Sequence, residues 1–148
     1  MKRLLVLVSS ISLVIIFLVS GCTSVTTPTS PYSPAGGDFY VCENLLKGFY
    51  VALSNENFPQ ALSYCKPGGA TFKYANNLWE LSQDYSLFYT KYDVYNFRDH
   101  RYISANIIEM YFDMTTTIMD TYGNSYGTSF YSHELILFEK VGDRWLLM

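Results

Sequence analysis

The chain has 148 residues, a formal net charge of −3, 16% charged residues and 49% hydrophobic ones, which leaves room for one domain and its appendages. Acidic residues outnumber Lys and Arg by 13 to 10, and no basic run or stripe occurs. A nucleic-acid partner is excluded on that ground, because neutralising phosphates supplies most of such affinity.

The N-terminus reads MKRLLVLVSSISLVIIFLVSGC. Two cations, Lys2 and Arg3, precede an apolar run from Leu4 to Val19 broken only by serines, and small residues follow before Cys22. A bilayer span takes about 20 apolar residues; this shorter run with a cleavage-type flank predicts a secretory signal peptide over residues 1–21. Val19-Ser20-Gly21-Cys22 resembles the lipobox of bacterial lipoproteins at every position. The resemblance implies that Cys22 carries a diacylglycerol on its sulfur and becomes the first residue after the leader is removed. The protein would then sit in the cell envelope, lipid-anchored on the extracytoplasmic side, two or more acyl chains holding stably where one is marginal. Thr23 rather than Asp follows the cysteine, which in a Gram-negative envelope implies the outer membrane.

Residues 22–37 are rich in Thr, Ser, Pro and Gly and cannot build a core, so they are expected to form a tether. Extended at about 3.1 Å per residue, it would hold a domain up to roughly 45 Å from the membrane. The domain is expected over residues 38–148. In DFYVCENLLKGFYVALSN, Cys42, Leu45, Leu46, Phe49 and Leu53 recur at helical spacing, predicting a helix over 39–54 with Asp38 at its start. NFPQALSYCKPGG predicts a short second helix begun by Asn57, with Pro59 in its first turn, and stopped by Pro67-Gly68-Gly69. A third helix is expected over about 73–83, carrying Tyr74, Leu78, Trp79 and Leu81.

Beyond Tyr85 the composition turns β-branched and aromatic. LFYTKYDVYNF predicts a first strand with FRDHR as its turn. From Arg101 to Met119 the alternation predicts one long strand whose apolar face changes near Ile107-Ile108, as a β-bulge would produce. DTYGNSYG is a turn, a third strand follows over about 128–141, and Gly142-Asp143 makes a hairpin into RWLLM. The fold class is therefore α+β, with N-terminal helices packed on a strongly bent antiparallel sheet of three to four strands. That order, with FYVALSNENFPQAL, the long strand and HELILFEKVGDRWLLM, resembles the nuclear transport factor 2-like (ketosteroid-isomerase-like, SnoaL-like) superfamily over residues 38–148. The resemblance implies a cone-shaped domain, a frequent internal pocket and a frequent dimer through the outer sheet face.

GNSYG, residues 123–127, has the Gly-x-Ser-x-Gly spacing of a nucleophile elbow. An elbow needs a strand before Ser125, a helix after it and an acid between the serine and the histidine; here both flanks read as strands and no Asp or Glu lies between Ser125 and His133. His133-Glu134 starts a zinc-protease motif, but Leu137 stands where the second histidine belongs, so no metal and no cofactor is expected. With Cys22 lipidated, Cys42 and Cys65 are left, and in an exported protein they are candidates for a disulfide or for two buried thiols; the bridge is slightly favoured. Enzymes of the resembling superfamily use an acid, His or Tyr inside the cone, for which His133, Asp113, Glu109 and the tyrosines are candidates. The pocket candidates are Tyr50, Trp79, Tyr111, Tyr131 and His133. No position matches a catalytic motif, so the sequence favours a non-catalytic ligand- or protein-binding domain. A small acid/base enzyme and a structural accessory subunit of an envelope complex are the alternatives. Leu135 to Phe138 are apolar on both faces of their strand, which a homodimer or an envelope partner would cover. A small apolar or aromatic ligand would suit a pocket lined by tyrosines.

Overall fold

The computed structural model describes residues 37–84 and 87–148; the predicted leader, Cys22 and the tether up to residue 36 lie outside the described residues. Three helices come first, α1 (Gly37–Ser54), α2 (Phe58–Ser63) and α3 (Ala70–Asp84). Four strands follow, β1 (Phe88–Ser104), β2 (Ile107–Asp120), β3 (Ser125–Val141) and β4 (Arg144–Leu147). They form one antiparallel meander in the order β1-β2-β3-β4. The sheet is strongly curled into a half-barrel around the helices, the α+β cone that the element order predicts. No described helix is long and apolar enough to cross a membrane.

The helical spacing read from α1 is its core stripe, with Cys42, Leu46 and Phe49 shut off from solvent. Polar residues between those positions fasten the helix lengthwise along β1. Tyr102 donates its hydroxyl to Asp38 at 2.7 Å, His100 Nε2 lies 2.9 Å from Glu43 Oε1, and Lys47 Nζ sits 4.7 Å above the Phe97 ring. At the far end the Tyr92 backbone N–H donates to Ser54 Oγ at 2.9 Å. Helix numbers rise as strand numbers fall, so α1 and β1 run antiparallel. His100, placed by the sequence in a water-facing turn, is instead half-buried against Glu43 and the Phe39 ring.

α2 starts as predicted, with Asn57 Oδ1 accepting from the Gln60 N–H and Pro59 in the first turn. The chain leaving it runs beside β4. Lys66 N donates to Leu147 O at 2.7 Å and Leu147 N to Tyr64 O at 3.0 Å, so the outer side of that short strand is covered.

The expected strand over 101–119 is two strands. The chain reverses at Ala105-Asn106, where Asn106 N lies 3.3 Å from Ser104 Oγ, and Ile107 pairs back with Ser104. A change of apolar face is produced by a reversal as readily as by a bulge, so alternation alone does not separate them. The bulges lie earlier, where a turn was expected. Asn96 and Asp99 have φ of 51° and 53°, and the β1–β2 register shifts on both sides of Arg98. Between Phe112 and Met114 the β2–β3 register shifts as well, with His133 at φ 62° on the β3 side. A bulge bends its strand and raises local twist, which accounts for the curl.

Leu46 is fully buried between α1 and the sheet. Leu46→Ala should lower unfolding free energy by about 2–5 kcal/mol, measurable by urea denaturation followed by circular dichroism.

Candidate functional site

Residues directly opposite in an antiparallel pair share a face, so the register decides which side chains enter the cone. Ile108, Met110 and Phe112 of β2 are buried on the concave face, opposite Phe138, Ile136 and Glu134 of β3. Further along, Met114 opposes Tyr131 and Val94, and Thr116 opposes Tyr92. The helices add Tyr50 and Tyr74 to this face. Tyr50 packs at 5.3 Å from Tyr92 and 6.0 Å from Phe112, Phe97 at 6.4 Å from Phe112, and the Tyr74 and Tyr92 hydroxyls are 3.2 Å apart. These rings occupy the hollow where the resemblance implies a pocket. Beside them lies a groove of about 160 Å³ between Leu53, Phe58, Leu78, Phe88 and Tyr92. That is below the roughly 300 Å³ at which small-molecule sites begin.

The phenols inside the cone are poor bases. Burial pushes Tyr50, Tyr74 and Tyr92 above the ordinary tyrosine value, with the neighbouring tyrosine adding to the shift at Tyr50 and Tyr92. They remain neutral hydrogen-bonding groups at physiological pH.

Of the five pocket candidates, Tyr50 and Tyr131 lie on the concave side, Tyr131 being 38% exposed. Trp79 stacks on Phe58 at 6.3 Å with its rings nearly parallel and is partly exposed at the helical surface. Tyr111 and His133 are outside the cone, their rings 4.6 Å apart on the convex face. For His133 the alternation count fails because β3 carries an extra residue there, which reverses the facing of what precedes it; Tyr111, between the buried Met110 and Phe112 of β2, takes the opposite face. Glu134, Tyr74 and Tyr92, which the sequence reading did not single out, take the inner positions. Asp113 and Glu109, considered as inward acids, also face outward.

On the convex face Asp113 is the centre of a hydrogen-bonded group. Arg98 Nη2 donates to its Oδ1 at 2.6 Å, Asn96 Nδ2 to its Oδ2 at 3.0 Å, and the His133 backbone N–H to its Oδ1 at 2.9 Å. Arg98 also donates to Asn96 O at 2.8 Å, and its Nη2 lies 3.3 Å from His133 Nδ1. Arg98, then Asn96 and the His133 amide, hold the Asp113 carboxyl far below the usual carboxylate range. One carboxylate thus joins the bulge of β1 to the bulge of β3. Beside it Arg101 Nε donates to Glu109 at 2.6 Å.

Cys42 and Cys65, for which a bridge was favoured, are free thiols, 0% and 3% exposed. Cys42 is on the core stripe near the start of α1, while Cys65 follows α2 with Sγ 3.5 Å from Ala61 O. Burial pushes both thiols up to about 12. Ser125 of the GNSYG motif begins β3 after a turn organised by Asp120, whose Oδ1 accepts from the Tyr122 and Asn124 backbone N–H groups at 2.9 and 2.8 Å. Among the described residues no three His, Cys, Asp or Glu side chains gather as metal ligands. A second, wide groove of about 510 Å³ lies between Pro67–Thr71, Leu135–Leu137 and Met148.

No protein-family model matches the sequence, and no curated protein matches it. Solved structures do. Aln2 from a Streptomyces strain superposes with a TM-score of 0.59 at 7% identity, over 77% of this chain and 88% of that one. A type 2 hexachlorocyclohexane dehydrochlorinase, LinA, gives 0.52 at 12% identity over 75% and 80%. The β subunit of benzoate 1,2-dioxygenase from Burkholderia mallei gives 0.53 at 10% identity over 72% and 83%. The domain has the nuclear transport factor 2-like fold. At these identities the likeness is one of fold alone, and a nuclear transport factor 2-like cone does not by itself fix a chemistry.

Two outcomes follow. The Asp113 carboxylate is depressed by its folded-state partners, so it stabilises the fold above the unfolded carboxylate value near pH 4 and ceases to as pH falls through its folded value. Asp113→Asn should therefore be less stable than the parent at pH 7, with the difference shrinking towards pH 2, in urea melts across that range. Native protein should react slowly with an aromatic disulfide reagent at Cys42 and Cys65 and rapidly once unfolded; a mass two hydrogens lighter that is restored by reductant would contradict free thiols.

Proposed function

We propose that this chain is a lipid-anchored envelope protein whose cone domain binds a protein partner and performs no chemistry. The observation that carries the reading is the aromatic cluster in the hollow, where Tyr50, Tyr92, Phe97 and Phe112 pack ring against ring. The ionisable candidates Asp113, Glu109 and His133 stand on the convex face, two of them held in ion pairs with Arg98 and Arg101. Apolar surface is instead offered outward, with Phe130, Ile103 and Leu135 each at least half exposed. The lipobox at Cys22 and the Thr/Pro/Ser tether support placement at a membrane surface with reach for a neighbour.

Among structures of the same fold one is named a dehydrochlorinase and another a dioxygenase subunit, so the fold is compatible with catalytic and accessory roles alike. A second reading, a small apolar ligand, is favoured by the wide groove beside Leu135–Leu137 and Met148. Native mass spectrometry separates the two, a discrete small-molecule adduct supporting the ligand.

Expressed in a bacterium with its full leader and fed an alkyne analogue of palmitate, the chain should carry label and fractionate with membranes. Cys22→Ser should lose both; a Cys22→Ser chain that stays labelled and membrane-bound would overturn the anchor.

A further inference from the structure

The sheet has two long outer strands, and they are finished differently. β1 is covered by α1, to which it gives the Tyr92 N–H. It also carries Lys91, Asp93, Arg98, Asp99 and Arg101, with positive φ at two of its residues. Covering, charge and bulges are the usual means by which proteins keep a strand edge from pairing with another chain. β3 has no charged residue from Ser125 to Ser132, and its two bulges fall outside residues 127–131. β4 pairs only with Phe138 to Val141, and Met148 N adds one bond to Leu137 O. Among the described residues no strand pairs with the outer side of residues 125–136.

Within that open edge, Gly127 to Tyr131 form five consecutive regular pairs with β2, bounded by a register shift at each end. The surrounding stretch TYGNSYGTSFYS, residues 121–132, has no charge and no proline. A short β-prone segment of that kind on an open edge is a template for strand addition. Its side chains are accessible too. Phe130 is 77% exposed, and a Cβ built on Gly127 meets nothing within 4 Å.

We infer that residues 127–131 of β3 pair antiparallel with the same residues of a second copy of this chain, about a two-fold axis at Ser129, joining two four-stranded sheets edge to edge. The inference deepens the proposed protein-binding role by naming a partner and a surface. Three observations select a second copy. In this register each Thr128 opposes a Phe130, a β-branched and aromatic pair that stabilises antiparallel sheets, and each Gly127 opposes a Tyr131 whose ring can cover the space the glycine leaves. Like charges do not meet, because Glu134, the nearest carboxylate after this stretch, lies five residues from the axis on each chain. The chain's own tether does not fit the edge, since Pro28, Pro31 and Pro34 remove the N–H groups a ladder needs. Five residues a side is a small contact, well under the roughly 1,200 Å² of a stable interface. Such pairing gains from confinement on one membrane, which raises effective concentration without any new contact.

The geometry supplies a direct test. Opposed residues in an antiparallel pair have Cα atoms about 4.5 to 5.5 Å apart, within the range a disulfide spans. Ser129→Cys in the full-length chain should therefore give, on mild oxidation in membranes, a covalent species of twice the monomer mass. The parent chain and Lys91→Cys on the β1 edge should not give it, the remaining thiols Cys42 and Cys65 being buried. Adding Phe130→Lys should abolish the cross-link while leaving the thermal melt unchanged. A cross-link in the Cys22→Ser, Ser129→Cys chain supports the pairing even if anchoring fails, and a cross-link in the anchored chain alone supports pairing that depends on the membrane. Folded Ser129→Cys protein that stays monomeric in both, cross-links no better than Lys91→Cys, forms a ladder beyond the dimer, or joins a chain of different mass would overturn it.

Discussion

The Asp113 carboxylate carries more of this structure than its surface position suggests. It accepts from Arg98 and Asn96 on one neighbouring strand and from the His133 backbone on the other, at the places where β1 and β3 each depart from regular pairing. Residues at positive φ are costly unless the surroundings hold them, and here one ionised group holds both sides. The bulges in turn curl the sheet. A curled sheet brings β1 alongside α1, where Asp38, Glu43, Lys47 and Ser54 meet Tyr102, His100, Phe97 and Tyr92 in sequence.

The same curl determines what the molecule offers to others. Its hollow is narrow enough for a few aromatic rings to fill, and burial keeps the phenols among them neutral. Asp113 and Glu109 are turned to the convex face and paired with Arg98 and Arg101, while Glu134 stays on the concave side opposite Phe112. The unprotected features that remain are apolar side chains on the outer surface and half of one strand edge. An aromatic cluster inside and an open rim outside are what favour the proposed binding of another polypeptide over a pocket for a small substrate.

Much of the fold was legible in the sequence. α1 was readable because its apolar residues keep a 3.6-residue period over four turns, and α2 because Asn57 and Pro59 mark its start. The hairpin at Ala105-Asn106 was not, because its reversal contains neither glycine nor proline and leaves the same signature as a bulge. The candidate site was less legible for a related reason. Facing on a strand is counted from a known position, and an unseen bulge at His133 inverts the count on β3, so His133 was placed inside while Glu134 was passed over; Tyr111 lies on β2, between Met110 and Phe112 that face the core, and so faces outward. Asp113 had no signal of its own, since its partners Asn96, Arg98 and His133 come from two other strands. The thiols show the limit of composition: spare cysteines behind an expected export signal invite pairing, but only the packing of α1 and α2 shows each in its own part of the core.

Hydrogen exchange on Asp113→Ala against the parent at pH 7 tests the central claim, that one carboxylate holds the curl of the sheet, most directly. The account predicts that amides around Asn96 to Arg101 and around Tyr131 to Leu135 lose protection together, and that the α1 amides packed on β1 follow. Loss confined to the immediate neighbours of residue 113, with both bulges and α1 protected as before, would contradict it.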